Sequence, residues 1–374
     1  MSQGANSAGQ KVNPYAFAGV DTAAGDTAVE LMKLSVRASH GPEVLGGVGG
    51  FAGLFDVSAL KSYRRPLLAS STDGVGTKVA IASALNRHET IGQDLVGMVV
   101  DDIVVVGAKP LFMTDYIACG RLVPERIAKI VAGIAAACKV TGTALVGGET
   151  AEHPGLMAPD DYDLAGAAVG VVEADEMLGP DRVKTGDSVI ALAASGFHSN
   201  GYSLVRHILA KRNLDYSDAV PEFTSLADVL MQPTRLYTRE VLDVLDANPG
   251  RIHALSHVTG GGIAANLSRV LPSGAWVEVD RSTWSPADEF KVFSSWGGLT
   301  LNEVESTWNM GIGMIAIAER ESAGLIIDAF KQLGLPAWQI GEVATTAHDL
   351  EGFETGSKGV EGGASRLVGA YPNR

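Results

Sequence analysis

Three acidic residues lie where carboxylates could bind a metal ion. Asp73 and Glu149 each follow a short strand-like apolar run, and Asp102 lies within the apolar helical segment 92–107. Magnesium takes a few carboxylate oxygens and keeps several waters, so side chains from three separate elements suffice for such a site. Asp73, Asp102 and Glu149 are therefore candidate ligands of Mg²⁺. For Glu149 the alternative is an exposed side chain after a Gly-Gly bend.

The segment 73–78 reads Asp-Gly-Val-Gly-Thr-Lys and combines groups that bind triphosphates. Gly74 lets the chain turn, while the Thr77 hydroxyl and the Lys78 ammonium could reach phosphate oxygens beside the metal. The alternative is an Asp-Gly turn that leads into a helix capped by Thr77. The Thr-Lys order reverses the ending of a P-loop, which excludes a P-loop NTPase.

The helical segment 92–107 carries three aspartates among apolar residues. At about 100° per residue Asp101 falls nearly beneath Asp94, and Asp102 lies about 80° away. A buried carboxylate without a partner costs several kcal/mol, so we expect a metal ion or a hydrogen-bond network here. The alternative is a solvent-facing acidic stripe, which suits Asp94 and Asp101 better than Asp102.

Two glycine-rich segments could bind phosphate groups through their backbone amides. The first, 46–51, contains four glycines: Gly46, Gly47, Gly49 and Gly50. The second precedes a helical stretch and consists of Thr259, Gly260, Gly261 and Gly262. The first is suited to the phosphates of a nucleotide and the second to a substrate phosphate at a helix start. A flexible surface loop and a plain N-cap are the respective alternatives.

His198 and Asn200 lie on a glycine-bounded turn between a strand-like run and a helical stretch. An imidazole in that position could transfer a proton or donate a hydrogen bond to an oxyanion. The alternative is that His198 only satisfies its own turn. The density of polar groups at the end of a strand favours a functional role.

Composition limits the classes of function. The chain has 374 residues, of which 46% are hydrophobic and 19% charged, and its formal net charge is −14. Such a chain fills hydrophobic cores and has little affinity for nucleic acid or anionic membranes. Two cysteines without metal-ligand spacing, no secretory leader and no apolar span indicate a cytoplasmic protein with buried thiols.

The order of strand-like and helical segments predicts an α/β (α+β) protein with two domains. We expect a flexible leader at 1–14 and an N-terminal domain at 15–178. A C-terminal domain would occupy 179–343, and a mostly unstructured tail would follow at 344–374. The division rests on the turn-rich sequence between Leu178 and Thr185.

The motifs, in this order, resemble those of the aminoimidazole ribonucleotide synthetase family. The resemblance covers about residues 15 to 343. The matching blocks are Ala18-Gly19-Val20-Asp21, Pro42-Glu43-Val44-Leu45, the glycine loop, Asp73-Gly74-Val75-Gly76-Thr77-Lys78, Gly147-Gly148-Glu149-Thr150-Ala151-Glu152, His198-Ser199-Asn200-Gly201-Tyr202-Ser203-Leu204, Thr259-Gly260-Gly261-Gly262 and Asn309-Met310-Gly311-Ile312-Gly313-Met314. Chance agreement of so many blocks is remote.

The resemblance implies an ATP-dependent ligase of purine biosynthesis. Such enzymes close the imidazole ring of formylglycinamidine ribonucleotide, giving aminoimidazole ribonucleotide, ADP and phosphate. By resemblance the catalytic residues are His198, Asn200 and Asp102, and 259–262 holds the ribose phosphate. The residues expected to bind ATP and Mg²⁺ are Lys33, Gly46, Gly47, Gly49, Gly50, Asp73, Gly74, Thr77, Lys78, His88 and Glu149.

The family fold further implies a homodimer in which N-terminal strands of two copies form a barrel. This sequence departs from the common pattern at Asp101, where many members have Asn, and at Trp308, where Phe is common. Other synthetases and kinases of the superfamily remain rivals, although no reactive cysteine lies near Gly46 as in selenophosphate synthetases. A non-catalytic nucleotide-binding subunit is a further alternative, disfavoured by the intact Asp73, Asp102, Glu149 and His198.

Overall fold

The computed structural model describes residues 21–346, 348–356 and 358–372. The predicted leader at 1–14 lies outside these residues, as do residues 18–20 of the first matching block. Within the described residues, no helix combines the length and the apolar character needed to cross a membrane.

The N-terminal half is built on a four-stranded sheet packed against helices. Its elements are α1 (Thr22–Arg37), β1 (Val44–Leu45), β2 (Leu54–Phe55), β3 (Pro66–Gly74), α2 (Lys78–Ala84), α3 (Ile91–Val104), β4 (Lys109–Cys119), α4 (Pro124–Thr141), β5 (Ala144–Glu152) and β6 (Tyr162–Glu173). The strand order is β3-β6-β4-β5; β4 and β5 run parallel and the other pairs antiparallel. β1 and β2 form a separate hairpin that carries the glycine loop.

Alternation along the strands separates the two faces of this sheet. Met113 and Leu164 are fully buried in the core that includes α3 and α4. Their neighbours point the other way and form what we call the open sheet face. Its exposed members are Leu68, Ser70, Thr72, Thr114 and Tyr116.

The C-terminal half is built on a seven-stranded sheet of order β12-β13-β9-β11-β7-β10-β8. Its elements are β7 (Ser188–Ala193), α5 (Tyr202–Lys211), α6 (Leu226–Leu230), α7 (Thr238–Ala247), β8 (Ile252–His257), α8 (Gly262–Ser268), β9 (Trp276–Asp280), α9 (Asp288–Gly297), α10 (Leu301–Val304), β10 (Ile312–Ala318), α11 (Ala323–Gln332), β11 (Ala337–Ala344), β12 (Glu354–Thr355) and β13 (Ala364–Val368). β10 is buried along its whole length, as expected for a central strand. The two sheets confirm the predicted fold class, whereas the division near residue 178 stays a prediction.

The prediction of an unstructured tail after residue 344 is wrong. β13 pairs in parallel with β9, and Ala364 and Ser365 are buried. The Ser365 hydroxyl donates a hydrogen bond of 2.7 Å to the carbonyl of Ala264 on α8. The inward side chains of β13 are small and its neighbours are rich in glycine, so the sequence lacks the alternating apolar pattern that predicts a strand.

Candidate active site

Three ionisable side chains from separate elements meet where the two halves of the chain adjoin. His257 ends β8, and its Nδ1 lies 2.8 Å from a carboxylate oxygen of Asp102 on α3. Asp73, near the end of β3, lies within electrostatic range of both side chains. We call the space around Asp73, Asp102 and His257 the central cleft. The structure therefore brings together two of the three predicted carboxylates.

The charges in the central cleft influence one another. Burial, together with the negative charge of Asp102, raises the pKa of Asp73. Burial alone would lower the pKa of His257, but its hydrogen bond to Asp102 and the surrounding carboxylates outweigh that effect and raise it. The acidic groups around His257 thus favour its protonated form, and its Nε2 has no partner among the described residues.

Glu149 is not part of the central cleft. Asp73 lies opposite Gly166, Gly166 opposite Asp115, and Asp115 beside Gly148, so three interstrand spacings separate the two edge strands of the sheet. At about 4.8 Å per strand this places Glu149 roughly 14 Å from β3. The described residues contain no group of three His, Cys, Asp or Glu side chains arranged to hold one metal ion. The prediction of a single three-carboxylate site is wrong for one chain.

Lys78 does not face a nucleotide. It is fully buried, and its Nζ donates to an Asp94 oxygen at 2.8 Å and to the carbonyls of His198 at 3.0 Å and Gln232 at 2.6 Å. Burial lowers the pKa of Lys78. Three acceptors nevertheless require three hydrogens, so the geometry defines an ammonium ion. Because each hydrogen has an acceptor within the chain, the prediction that Lys78 binds phosphate is wrong.

The side of α3 that carries Asp94 and Asp101 is buried in a hydrogen-bond network, as expected, and the alternative of a solvent-facing acidic stripe is wrong. Asp94 and Asp101 are both inaccessible, whereas the side chain of Asp102 is about 40% exposed. Asp94 accepts hydrogen bonds from the amide and hydroxyl of Thr234, and Asp101 accepts from the Tyr237 amide and the Thr238 hydroxyl. The segment 234–238, which precedes and begins α7, covers these residues, an arrangement that periodicity within one helix cannot show.

His198 is a neutral hydrogen-bond donor. Its backbone has a positive φ of 60°, and its Nε2 accepts a hydrogen bond of 3.1 Å from the Ser195 amide. The proton of a neutral ring therefore lies on Nδ1, which is buried and has no partner among the described residues. Burial and the positive charges of His257, Lys78 and Arg235 hold the pKa of His198 well below its usual range. The neutral ring can donate a hydrogen bond to an incoming oxygen, but it is not protonated to the cation and so does not act as a general acid.

Asn200 lies beside the second glycine segment. A Cβ at Gly260 would come within 3.7 Å of the Asn200 side-chain oxygen. The turn itself is fixed by Asn266, whose amide donates to the carbonyls of Thr259 and Gly262. Gly262 has a φ of +73°, and a Cβ there would lie 1.7 Å from the Glu305 carbonyl oxygen. Two predicted motifs thus meet, while their binding of a substrate phosphate stays a prediction.

The first glycine segment, 46–51, borders a different cavity. This glycine-loop pocket has a volume of about 330 Å³ and is lined by α1, residues 47–50 and the β5 residues Gly148 and Glu149. Gly46 and Gly49 adopt φ values of +88° and +99°, which side chains rarely tolerate. Glu149 therefore belongs with the glycine loop rather than with Asp73.

The other predicted nucleotide ligands have partners within the chain. His88 is buried between the Tyr162 hydroxyl and the Asn86 side chain, each 3.1 Å from a ring nitrogen, and burial lowers its pKa to about 4. Both ring nitrogens thus have partners within the chain, and the position of His88 near a nucleotide stays a prediction. The Thr77 hydroxyl contacts Ser203 and does not cap α2. Lys33, on α1, pairs with Glu30.

Sequence reasoning overlooked His257 and Asp115. His257 directly precedes Val258 and the glycine segment 259–262, and its place at the end of a buried strand was an available signal. Asp115 lies within an alternating strand, where an inward-facing carboxylate is rare enough to deserve notice.

Comparison with known proteins places the chain in a family. Models of the N-terminal and C-terminal domains of AIR synthase related proteins match residues 56–172 and 184–350. The chain therefore belongs to the AIR synthase family. It is 46% identical over 339 residues to the phosphoribosylformylglycinamidine cyclo-ligase of Thermosynechococcus vestitus, covering 91% of this chain and 98% of the relative. The cyclo-ligase of Geobacillus thermodenitrificans is 48% identical, with 90% and 97% covered.

Solved structures share the fold at lower identity. A thiamine-monophosphate kinase from Stenotrophomonas maltophilia superimposes with a TM-score of 0.65 at 19% identity, covering 91% of this chain and 97% of the other. The hydrogenase maturation protein HypE in complex with ATP gives 0.62 at 20% identity, covering 92% and 91%. At such identities the likeness establishes the fold alone.

Removing one member of the Lys78–Asp94 pair should strongly destabilise the protein. Lys78→Met leaves a buried carboxylate without its cation, so we expect a loss of about 3 to 5 kcal/mol in the free energy of unfolding. Combining it with Asp94→Asn should cost much less than the two single changes added together. Urea unfolding measures all three variants.

The exposed pair Lys129–Glu89 supplies the matched control, because its side chains are about half exposed. Lys129→Met should cost less than about 1 kcal/mol. Strict additivity of the Lys78 and Asp94 changes would contradict the assigned pairing.

The free energy of unfolding of the Asp101→Asn variant should increase relative to that of the native chain as pH rises. Burial raises the pKa of Asp101 to about 6, so the folded state holds a proton that the unfolded state releases near pH 4. The stability contributed by Asp101 is therefore greatest in acid and falls between about pH 4 and 6. The neutral amide of the variant does not titrate, so its contribution does not fall with pH. Between about pH 4.5 and 7.5 the free energy of unfolding of the variant should therefore rise by about 1 to 3 kcal/mol relative to that of the native chain.

Urea unfolding at the two pH values measures this difference. Asp328→Asn, on the exposed side of α11, controls for the change in net charge. A difference between Asp101→Asn and the native chain that does not vary with pH would refute the buried-charge explanation.

Proposed function

We propose that the chain catalyses the ATP-dependent ring closure of formylglycinamidine ribonucleotide to aminoimidazole ribonucleotide, with release of ADP and phosphate, in purine biosynthesis. The observation that carries this proposal is the 46–48% identity to phosphoribosylformylglycinamidine cyclo-ligases over about nine-tenths of the chain. The convergence of Asp73, Asp102 and His257 on one cleft adjacent to His198 supports an intact catalytic centre.

In the proposed reaction, the γ-phosphoryl group is transferred to the formamide oxygen of the substrate. An amidine nitrogen of the same molecule then attacks that carbon; the new C–N bond forms, the C–O bond breaks, and phosphate leaves with the former formamide oxygen. The ring nitrogen loses a proton. Because both reacting groups belong to one molecule, the protein mainly orients them and balances charge.

Asp73 and Asp102 suit the magnesium ion that this reaction requires. Both present carboxylate oxygens in the central cleft, and Asp102 is half exposed, which leaves room for the waters that Mg²⁺ retains. When bound, the ion would neutralise charge on phosphate oxygens. His257 orients Asp102 through its Nδ1 hydrogen bond.

His198 has a role in positioning rather than in proton transfer. Its unpartnered Nδ1 would donate a hydrogen bond to a phosphoryl or formamide oxygen. Asn200 and the segment 259–262 would hold the substrate's phosphate on the adjacent side. The first glycine segment and Glu149 would contact ATP from the glycine-loop pocket.

We place the reaction in the cytoplasm. Cys119 and Cys138 are free and buried, and burial raises the pKa of Cys119 to about 11. Thiols of this kind are typical of a reducing compartment. They are also unsuited to the nucleophilic role found in a selenophosphate synthetase.

Replacing Asp73 or Asp102 with Asn should lower turnover by about 100-fold or more, since each change removes charge from the centre of the site. Purified protein is supplied with formylglycinamidine ribonucleotide, ATP and Mg²⁺, and the aminoimidazole product and ADP are measured together. Asp328→Asn serves as the unaffected control. ADP formation in the absence of the ribonucleotide, or no ring product from folded native protein, would contradict the proposed function.

The open sheet face supports a homodimer. Leu68 is 65% exposed and Tyr116 42% exposed on a face that no helix of the described chain covers. Exposed apolar side chains on a broad sheet face are typical of a subunit interface. The proposed interface would join two copies of this face into a barrel.

Leu68→Asp should convert the dimer to monomers, because it would bury a charge in that interface. Light scattering after size exclusion measures the mass. Leu325→Asp, which alters an exposed leucine on α11, should leave the mass unchanged. A native protein that is already monomeric would contradict the proposed dimer.

A further inference from the structure

The glycine-loop pocket has mainly apolar walls. On the α1 side it is lined by Gly25, Ala28, Val29, Met32 and Val36, whose i, i+3, i+4, i+7, i+11 spacing places them on one helix face. Leu122, Val131 and Leu145 form the facing wall. A slot between small and branched apolar side chains fits a flat, uncharged ring better than a hydrated, charged group.

One carboxyl group opens into this apolar space. Asp115 lines the pocket and is only 9% exposed. Apart from its own backbone amide, no hydrogen-bond donor among the described residues reaches its side chain. Burial raises its pKa to about 7. In either protonation state, one oxygen of such a carboxyl remains a hydrogen-bond acceptor.

Gly148 makes the space for this carboxyl group. Gly148 is the register partner of Asp115 on the neighbouring strand β5. A Cβ at position 148 would lie 1.8 Å from the Asp115 Oδ1. Any side chain at 148 would therefore displace the carboxyl group from its present position.

We propose that the glycine-loop pocket takes the purine base of the nucleotide and that Asp115 is a specificity-determining residue, accepting a hydrogen bond from the base's exocyclic amino group. The inference rests on the proposed use of ATP. A carboxylate would repel a triphosphate, so the end of the pocket that contains Asp115 suits the base. The amides of the glycine loop suit the phosphates.

Equilibrium binding of ADP and inosine diphosphate tests the proposal without turnover. The two ligands differ at the purine 6-position, where ADP has an amino group and inosine diphosphate an oxo group, and at N1, which carries a hydrogen only in inosine diphosphate. The native protein should prefer ADP, because the Asp115 carboxyl group would face the 6-position, where the oxo group offers no hydrogen and leaves a buried acceptor unpaired. Asp115→Asn offers an amide N–H to the oxo group and should reduce the preference about tenfold or more. Calorimetry measures both dissociation constants.

Two further variants make the test specific. Gly148→Ala displaces the Asp115 carboxyl group without removing it, so it should also reduce the preference for ADP and serves if Asp115→Asn fails to fold. Asp163→Asn, on the exposed side of β6, should keep the native preference. An unchanged ratio of the two dissociation constants in both Asp115→Asn and Gly148→Ala, or equal weakening of both ligands, would overturn the proposal.

The outcomes also separate this inference from the proposed function. Protein that prefers ADP but closes no imidazole ring would contradict the cyclo-ligase function and support base recognition by the pocket. Protein that closes the ring equally well with ATP and inosine triphosphate would contradict the role of Asp115 alone.

Discussion

A buried ion pair between Lys78 and Asp94 holds the two halves of the chain together at the site. The Lys78 ammonium also binds the carbonyls of His198 and Gln232, while Asp94 binds Thr234. Two charges withdrawn from water are tolerated only when nearly every donor and acceptor has a partner, and here all three ammonium hydrogens do. Because this pair fixes the carbonyl of His198, the position of the His198 ring depends on it.

One helix, α3, combines this structural role with the chemistry of the site. Asp94 and Asp101 are seven residues apart and therefore lie on the same side of the helix, where both bind the segment 234–238. That attachment orients α3 so that Asp102, about 100° further round, faces the central cleft and His257. The Asp101 side chain therefore contributes to the packing between the two halves.

The sequence predicted the fold class, because the order of strand-like and helical segments follows from local periodicity, and the motifs suggested that Asp73 and Asp102 share a site. The sequence could not predict the role of Lys78, since a polar side chain near a motif suggests a ligand whether it faces a cleft or a buried partner. Glu149 was misplaced for a different reason. Sheet order, which determines that β3 and β5 lie at opposite edges, depends on long-range pairing that no single segment encodes.

The formal charge of −14 overstates the repulsion that an anionic substrate meets. Asp94 is neutralised by Lys78, and Asp101 is buried beneath hydrogen-bond donors with a raised pKa. The carboxylates that remain in the central cleft are Asp73 and Asp102, which are the two that a magnesium ion would neutralise. Phosphate groups would then meet a cation and backbone amides, so an acidic protein can bind acidic nucleotides without a basic surface.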